Sequence, residues 1–483
     1  MHSAIWSITQ QLVRQGLAAA FMVVIAKRLA PAEFGVLSIA TIWTAFLGLF
    51  LDLGFASALV QRKEITTTHM ASVLAVNVAS GTILTLLSIG ASWPVSWLMN
   101  APSAQPVIAV LSLGFLVTAM GSVQNALAQR ELRFKALAYR DFTASSISAV
   151  VGIIMAVQGF GVWSLVANSM LGNFLGTLLI WRLSPHRFSI LQASLASAKE
   201  LWIFGSRMLG YSVLKHITRN TDSIVIGMLF GPEKLGLYSF AQRVTFSPLK
   251  GIQAGLGSFL FPKAAKIQDD PSRLADLYVL SFKLLNYLLI PIAIGLLTIG
   301  SRLIPQVFGK QWEAAMPIIA LLSGILFMQA ACIPLGELMK ATNRPEWLFR
   351  WTIFLTILTT SALFLGSYFG FEGTILAFSS SYILTAPVVA WIANQITRLR
   401  WSDFLVRTQF HFMWALITSL ATAVVWFYSS GNFLAASLAV SAILIVAAFI
   451  AYQFDPDLRK IAALLPFKSP VMKMMRRVAP GFK

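Results

Sequence analysis

Long apolar runs separated by short polar turns recur from one end of the chain to the other. A hydrocarbon core about 30 Å thick takes roughly 20 residues of helix, so each run reads as a membrane span. Turn signals place the spans near 4–27, 34–60, 71–99, 104–128, 141–158, 161–182, 201–229, 235–262, 277–300, 313–340, 347–369, 372–397, 406–428 and 432–454. The first is polar in its early part, with Gln10, Gln11, Arg14 and Gln15, and the seventh is interrupted by charge. The pattern is that of an all-α membrane protein of about 14 transmembrane helices.

Composition explains why lipid must be the main solvent. The 483 residues are 57% hydrophobic and 11% charged, whereas soluble domains carry roughly 25% charged residues. The N-terminus lacks the charged start, short apolar core and small-residue cleavage site of a signal peptide, so it is expected to stay as the first helix. The net charge of +19 would suggest a nucleic-acid partner in a soluble chain. Here the charge is sided: 25 of the 37 Lys and Arg lie in even-numbered loops and the C-terminal tail, 5 in odd-numbered loops and 7 within spans. Positive loops stay inside, so both termini are expected in the cytoplasm, and no nucleic acid is expected as a partner. The tail carries Arg459, Lys460, Lys468, Lys473, Arg476, Arg477 and Lys483 among apolar residues, a strip attracted to anionic membrane lipids. Cys332 is the only cysteine, and the five histidines show no metal-ligand spacing. With no phosphate loop, nucleotide fingerprint or catalytic triad, the chain is read as a non-enzyme without metal or cofactor.

The segments LAPAEFGVLSIA at 29–40 and FGPEKLGLYSFA at 230–241 share Pro31/Pro232, Gly35/Gly236, Ser38/Ser239 and Ala40/Ala241 at one offset of 201. At this offset the first span overlays the seventh and the second overlays the eighth. Six spans separate equivalent points, and an even number preserves orientation, so the copies form a parallel repeat. Residues 1–198 are then an N-terminal six-helix lobe and 199–400 a C-terminal six-helix lobe. Helices 13 and 14 occupy 401–456, and 457–483 form the basic cytoplasmic tail. Paired lobes point to alternating access, with a site at their interface near mid-membrane.

Ionisable residues inside spans face protein or water, because lipid exposure costs at least about 2.5 kcal/mol each. Arg14 in the first span overlays Lys215 in the seventh at the repeat offset. Arg207, Tyr211, Lys215, Arg219 and Asp222 follow one another at steps of 4, 4, 4 and 3, along one helical face. Arg243 and Lys250 lie two turns apart in the eighth span. Arg14, Lys215, Arg219, Arg243 and Lys250 are therefore the candidate substrate-binding cations of a cavity that attracts an anion, with guanidinium forks suited to phosphate oxygens. The opposing reading is that these cations snorkel to an interface or pair internally, as Arg219 would with Asp222. Asp52 and Asp222 are candidate carboxylates for coupling to a proton or sodium gradient, against a structural role as ion-pair or capping groups.

The stretches LAPAEFGVLSIATIWTAFLGLFLDLGFASALVQRKE, TDSIVIGMLFGPEKLGLYSFAQRV and FGKQWEAAMPIIALLS, taken in order, resemble the polysaccharide transporter family. That family holds the colanic acid and teichuronic acid exporters of the multidrug/oligosaccharidyl-lipid/polysaccharide exporter superfamily. The resemblance runs from about residue 3 to about residue 400. It implies a flippase of the bacterial inner membrane, with two six-helix lobes, a cationic cavity and two extra C-terminal helices. Its cargo would be undecaprenyl-pyrophosphate-linked oligosaccharide units, moved from the cytoplasmic to the periplasmic leaflet with an ion gradient as driving force. Other polysaccharide assembly proteins are the implied partners. A lipid II exporter, a cationic-drug exporter of the same superfamily and a membrane glycan-assembly enzyme are the competing readings. The basic interior disfavours the drug exporter, and the short, lightly charged outer loops disfavour the enzyme.

Overall fold

The computed structural model describes residues 20–428 except 53, 54, 56–58, 60, 61, 63 and 299, together with 439, 442 and 443. The side chains of Asp52 and of most of 195–215 also fall outside the described set. The early part of the first span, the fourteenth span and the basic tail lie outside the described residues.

Among the described residues the chain is helical throughout. In order, α1 is Pro31–Asp52, α2 Thr67–Leu98, α3 Ala104–Arg130, α4 Phe134–Val157 and α5 Val162–Leu183. The stretch Leu195–Ala265 is helical on both sides of Gly231, whose φ of 73° and ψ of −175° break it into α6 (195–230) and α7 (232–265). That left-handed φ suits glycine, and Pro232 then opens α7 with its ring already at a helical φ. α8 is Pro271–Leu297, α9 Gly300–Phe308, α10 Met316–Ala341, α11 Pro345–Ser367, α12 Gly370–Leu384, α13 Ala386–Thr397 and α14 Trp401–Tyr428. Among the described residues, ten helical segments are long and apolar enough to cross a membrane. The twelfth span, expected near 372–397, is interrupted by a turn at Thr385 between α12 and α13. The fifth begins at Phe134, seven residues before its expected start, because Leu137 and Ala138 are buried and extend the packed face backward.

The described residues form two compact units. One holds the residues up to Arg243 with Leu303–Ile318 and Thr352–Phe378; the other holds Val244–Arg302, Ile319–Trp351 and the residues from Ser379.

Lipid tails are as apolar as leucine, so helix association in a membrane depends on close packing and interhelical hydrogen bonds. In the first unit Trp43 Nε1 donates to Ser88 Oγ at 2.9 Å, and Ser112 Oγ donates to Ser88 Oγ at 2.6 Å, tying α1, α2 and α3 together. The two repeat turns meet each other in the same unit. A Cβ on Gly35 would lie 1.7 Å from Pro232 O, and a Cβ on Gly236 would lie 1.8 Å from Pro31 O. The contact is reciprocal, each glycine admitting the backbone of the other copy. Trp312 is fully buried, stacks on Phe240 at 3.9 Å and meets Phe34 edge-on at 5.0 Å. Its Nε1 donates to Ala26 O at 2.9 Å, closing a carbonyl left open where the helix before α1 ends. Tryptophan in FGKQWE thus wedges the starts of α1 and α7.

The second unit is held by a core that runs from Leu249 through Leu285 and Leu338 to Phe404. Asp270 caps α8, accepting from the N–H groups of Ser272 and Arg273 at 3.1 Å each. Those donors hold its carboxyl below the usual carboxylate range.

Candidate functional site

Within the first unit α1, α3, α4, α5 and the end of its α7 portion surround a cavity of about 590 Å³. Phe21, Met22, Ile25 and Leu37 give it an apolar side. Opposite them α5 presents Asn168, Ser169, Asn173 and Thr177, spaced so that one helical face carries all four. Gly172 and Gly176 fall on that face too, and Gly172 sits against Ser148 of α4, so the two helices approach closely. α4 contributes Arg140, Asp141, Ser145 and Ser148, and α3 contributes Thr118 and Asn125.

Charge in this cavity is concentrated and mostly paired. Arg140 Nε donates to Asp141 Oδ1 at 2.8 Å, Nη2 donates to the same oxygen, and Nη1 donates to Asn125 Oδ1 of α3. Their side chains are only 16% and 14% exposed, so neither ion is bathed by bulk water. Arg243 stands on the wall as a further cation. Hydroxyls, amides and one guanidinium beside an apolar flank can hydrogen-bond sugar hydroxyls, pair with a phosphate and accommodate hydrocarbon.

The expected site residues are distributed as follows. Arg243 lines the cavity. Arg219 is exposed on α6, and Lys250, also exposed, belongs to the second unit. Arg14 and the side chains of Lys215 and Asp52 lie outside the described residues, as do those of Arg207 and Tyr211. Asp222 is buried and accepts from Tyr238 Oη at 2.6 Å, Gln242 Nε2 at 2.5 Å and Ser223 N at 2.8 Å. Arg219 is not among its hydrogen-bond partners. Three donors fix this carboxylate across α6 and α7, next to the Gly231 break. Asp222→Asn puts an amide N–H toward one donor, and it is expected to lower stability by about 1–3 kcal/mol, read by thermal unfolding of the purified protein.

Arg140, Asp141, Asn125, Asn168 and Asn173 were not singled out in the sequence. The signal was present in VANSMLGNFLGTLL, where Asn168, Gly172 and Gly176, and Ser169, Asn173 and Thr177, recur at four-residue steps. That is a polar face on an otherwise apolar helix. Arg140 falls just outside the span expected at 141–158, whereas α4 already begins at Phe134.

The chain matches the family described as "Polysaccharide biosynthesis protein" over residues 24–317. The chain belongs to the polysaccharide biosynthesis protein family. It is 26% identical to the Escherichia coli (strain K12) "Lipopolysaccharide biosynthesis protein WzxC", over 83% of each chain. It is 29% identical to the Rhizobium meliloti (strain 1021) "Succinoglycan biosynthesis transport protein ExoT", over 76% of this chain and 74% of that one. Among solved structures, the lipid II flippase MurJ in its inward closed conformation superimposes with a TM-score of 0.74 at 15% identity, covering 93% of this chain and 99% of that one. An inward-facing MATE family transporter of the MOP superfamily gives 0.65 at 17% identity, covering 81% and 98%. These likenesses show the fold, an all-α, multi-pass membrane architecture. The family member described here thus has its polar cavity inside an all-α membrane fold.

Proposed function

We propose that the protein is a flippase that carries undecaprenyl-pyrophosphate-linked oligosaccharide units across the bacterial inner membrane by alternating access of its two repeat-related lobes. The observation that carries this reading is the cavity of the first unit, with its amide and hydroxyl face, apolar flank and Arg243. A sugar finds hydrogen-bond partners there, a phosphate finds a guanidinium, and an isoprenoid finds apolar side chains. Membership in a polysaccharide biosynthesis family and relatives named as transport proteins support the cargo class. The distribution of Lys and Arg supports cytoplasmic termini. Other polysaccharide assembly proteins and the surrounding lipids are the proposed partners, and catalysis plays no part.

Transport is proposed to draw on a proton or sodium gradient through Asp52, with Asp222 as a second candidate if Tyr238 and Gln242 release it. Asp52→Asn is expected to abolish the response of export to the gradient while leaving protein levels unchanged; gradient-dependent export by that variant would refute the assignment.

The decisive experiment is leaflet-selective labelling of lipid-linked glycan in the native host after depletion of the protein. Accumulation on the cytoplasmic leaflet, reversed by the wild-type chain but not by Arg243→Ala at equal protein level, is the expected result. Normal sidedness combined with heightened sensitivity to cationic drugs would point to a drug exporter. Periplasmic accumulation of unpolymerised units would point to an assembly enzyme.

A further inference from the structure

A second cavity, of about 610 Å³, lies within the other unit at the N-terminal half of α8. Its wall is cationic: Lys263 near the end of α7, Arg273 and Lys283 on α8, and Arg407 on α14 stand against Asp276. Arg273, Asp276, Leu280 and Lys283 recur every three or four residues, so a single stripe of α8 supplies them. Asp276 is engaged by Arg407 at 2.8 Å, and Arg273 lies 3.3 Å from Asp270, which is outside the wall. The lining thus holds four cationic residues and one acid, Asp276. Lys283 is buried, and it follows Pro271 by twelve residues, which is about 18 Å along the helix axis. It shares the wall with Ile267 and Leu280, so the cavity is apolar as well as cationic.

Two further features indicate what fits. The seam between α8 and α14 is closed by rings, with Phe282 and Phe404 4.9 Å apart and Tyr278 and Phe404 6.0 Å apart, in the same stretch of α8 that lines the cavity. Trp401 is exposed at the start of α14, six residues before Arg407, and stacks on Phe404 at 5.3 Å. Exposed tryptophan at a helix end is the usual marker of the headgroup level of a membrane. A phosphodiester paired with several cations beside apolar side chains at that level has the chemistry of a phospholipid. We propose that this cavity binds the headgroup of an anionic phospholipid, which bridges α8 and α14 from the membrane side. The site is separate from the cavity lined by Arg243, and it stands whatever the cargo proves to be.

The test uses the purified full-length protein in detergent, titrated with dioleoylphosphatidylglycerol, dioleoylphosphatidylcholine or inorganic phosphate. Thermal unfolding and native mass spectrometry are the readouts. Phosphatidylglycerol is expected to raise Tm and to be retained as a bound lipid, and phosphatidylcholine to do neither. Lys283→Met/Arg407→Gln, which keeps both aliphatic stems, is expected to bind phosphatidylglycerol about thirtyfold more weakly, and Lys283→Met alone about fivefold. The single variant serves if the double one does not fold. An unchanged phosphatidylglycerol response in the folded variant would overturn the site. The same stabilisation by inorganic phosphate at equal concentration would overturn the lipid in favour of a free anion.

Discussion

Gly35→Ala is expected to destabilise the protein by about 3 kcal/mol, the upper part of the range for overpacking a close contact. The added methyl carbon would sit 1.7 Å from Pro232 O and 2.5 Å from Pro232 C, both backbone atoms. No side-chain rotation relieves that clash, so the starts of α1 and α7 must separate. Separation would in turn loosen Trp312, which is packed against Phe34 of α1 and Phe240 of α7. Gly236→Ala is expected to do the same, since its Cβ would meet Pro31 O at 1.8 Å. The double variant should cost less than the two single effects added, because one displaced crossing already makes room for the second methyl. Gly90→Ala is the control: it has open space around the new Cβ and is expected to be neutral or slightly stabilising, as alanine is the better helix former. Thermal unfolding monitored by size-exclusion of a fluorescent fusion reads all four variants. Equal stability of Gly35→Ala and Gly90→Ala would show that the crossing is not tight.

Asp141→Leu is expected to stop export and to lower stability by about 1.5–3 kcal/mol, the usual contribution of hydrogen bonds to a charged group. The substitution removes the acceptor for both Nε and Nη2 of Arg140 and leaves the guanidinium with Asn125 in a cavity that is shielded from bulk water. Arg140→Met takes the guanidinium away from the carboxylate instead and is expected to be of similar size. Arg140→Met/Asp141→Leu removes both ions, and it is expected to regain most of the lost stability, as paired ions replaced by apolar residues often do. Export should stay absent in the double variant if the pair acts on cargo. Export that returns together with stability would make the pair purely structural. Tm of the purified proteins and leaflet-selective labelling in the host provide the two readouts.

The span pattern was legible because the membrane leaves few choices. Every backbone polar group in lipid must be satisfied within the helix, so length and hydropathy alone mark where helices run. Ends were less legible: a span at 141–158 leaves Arg140 outside, whereas α4 begins at Phe134 and Arg140 donates from within it to Asn125 of α3. The cavity was legible only in part. Arg243 was found by its charge within an apolar span, whereas Asn168 and Asn173 are uncharged and hide in a helix whose average is apolar.

The repeat shows the division most clearly. The sequence by itself determined that 29–40 and 230–241 share four residues at one offset, that proline opens a helix in each and that a small residue follows. It also determined a multi-pass membrane protein with sided charge, since hydropathy and the cost of translocating cations act locally along the chain. Only the tertiary structure decided that Gly35 and Gly236 admit each other's backbone, that Trp312 wedges that crossing and that Asp222 is held by Tyr238 and Gln242. Those contacts join residues far apart in sequence. Which of many small or polar side chains meet is set by how the helices pack, and helical periodicity constrains one helix at a time.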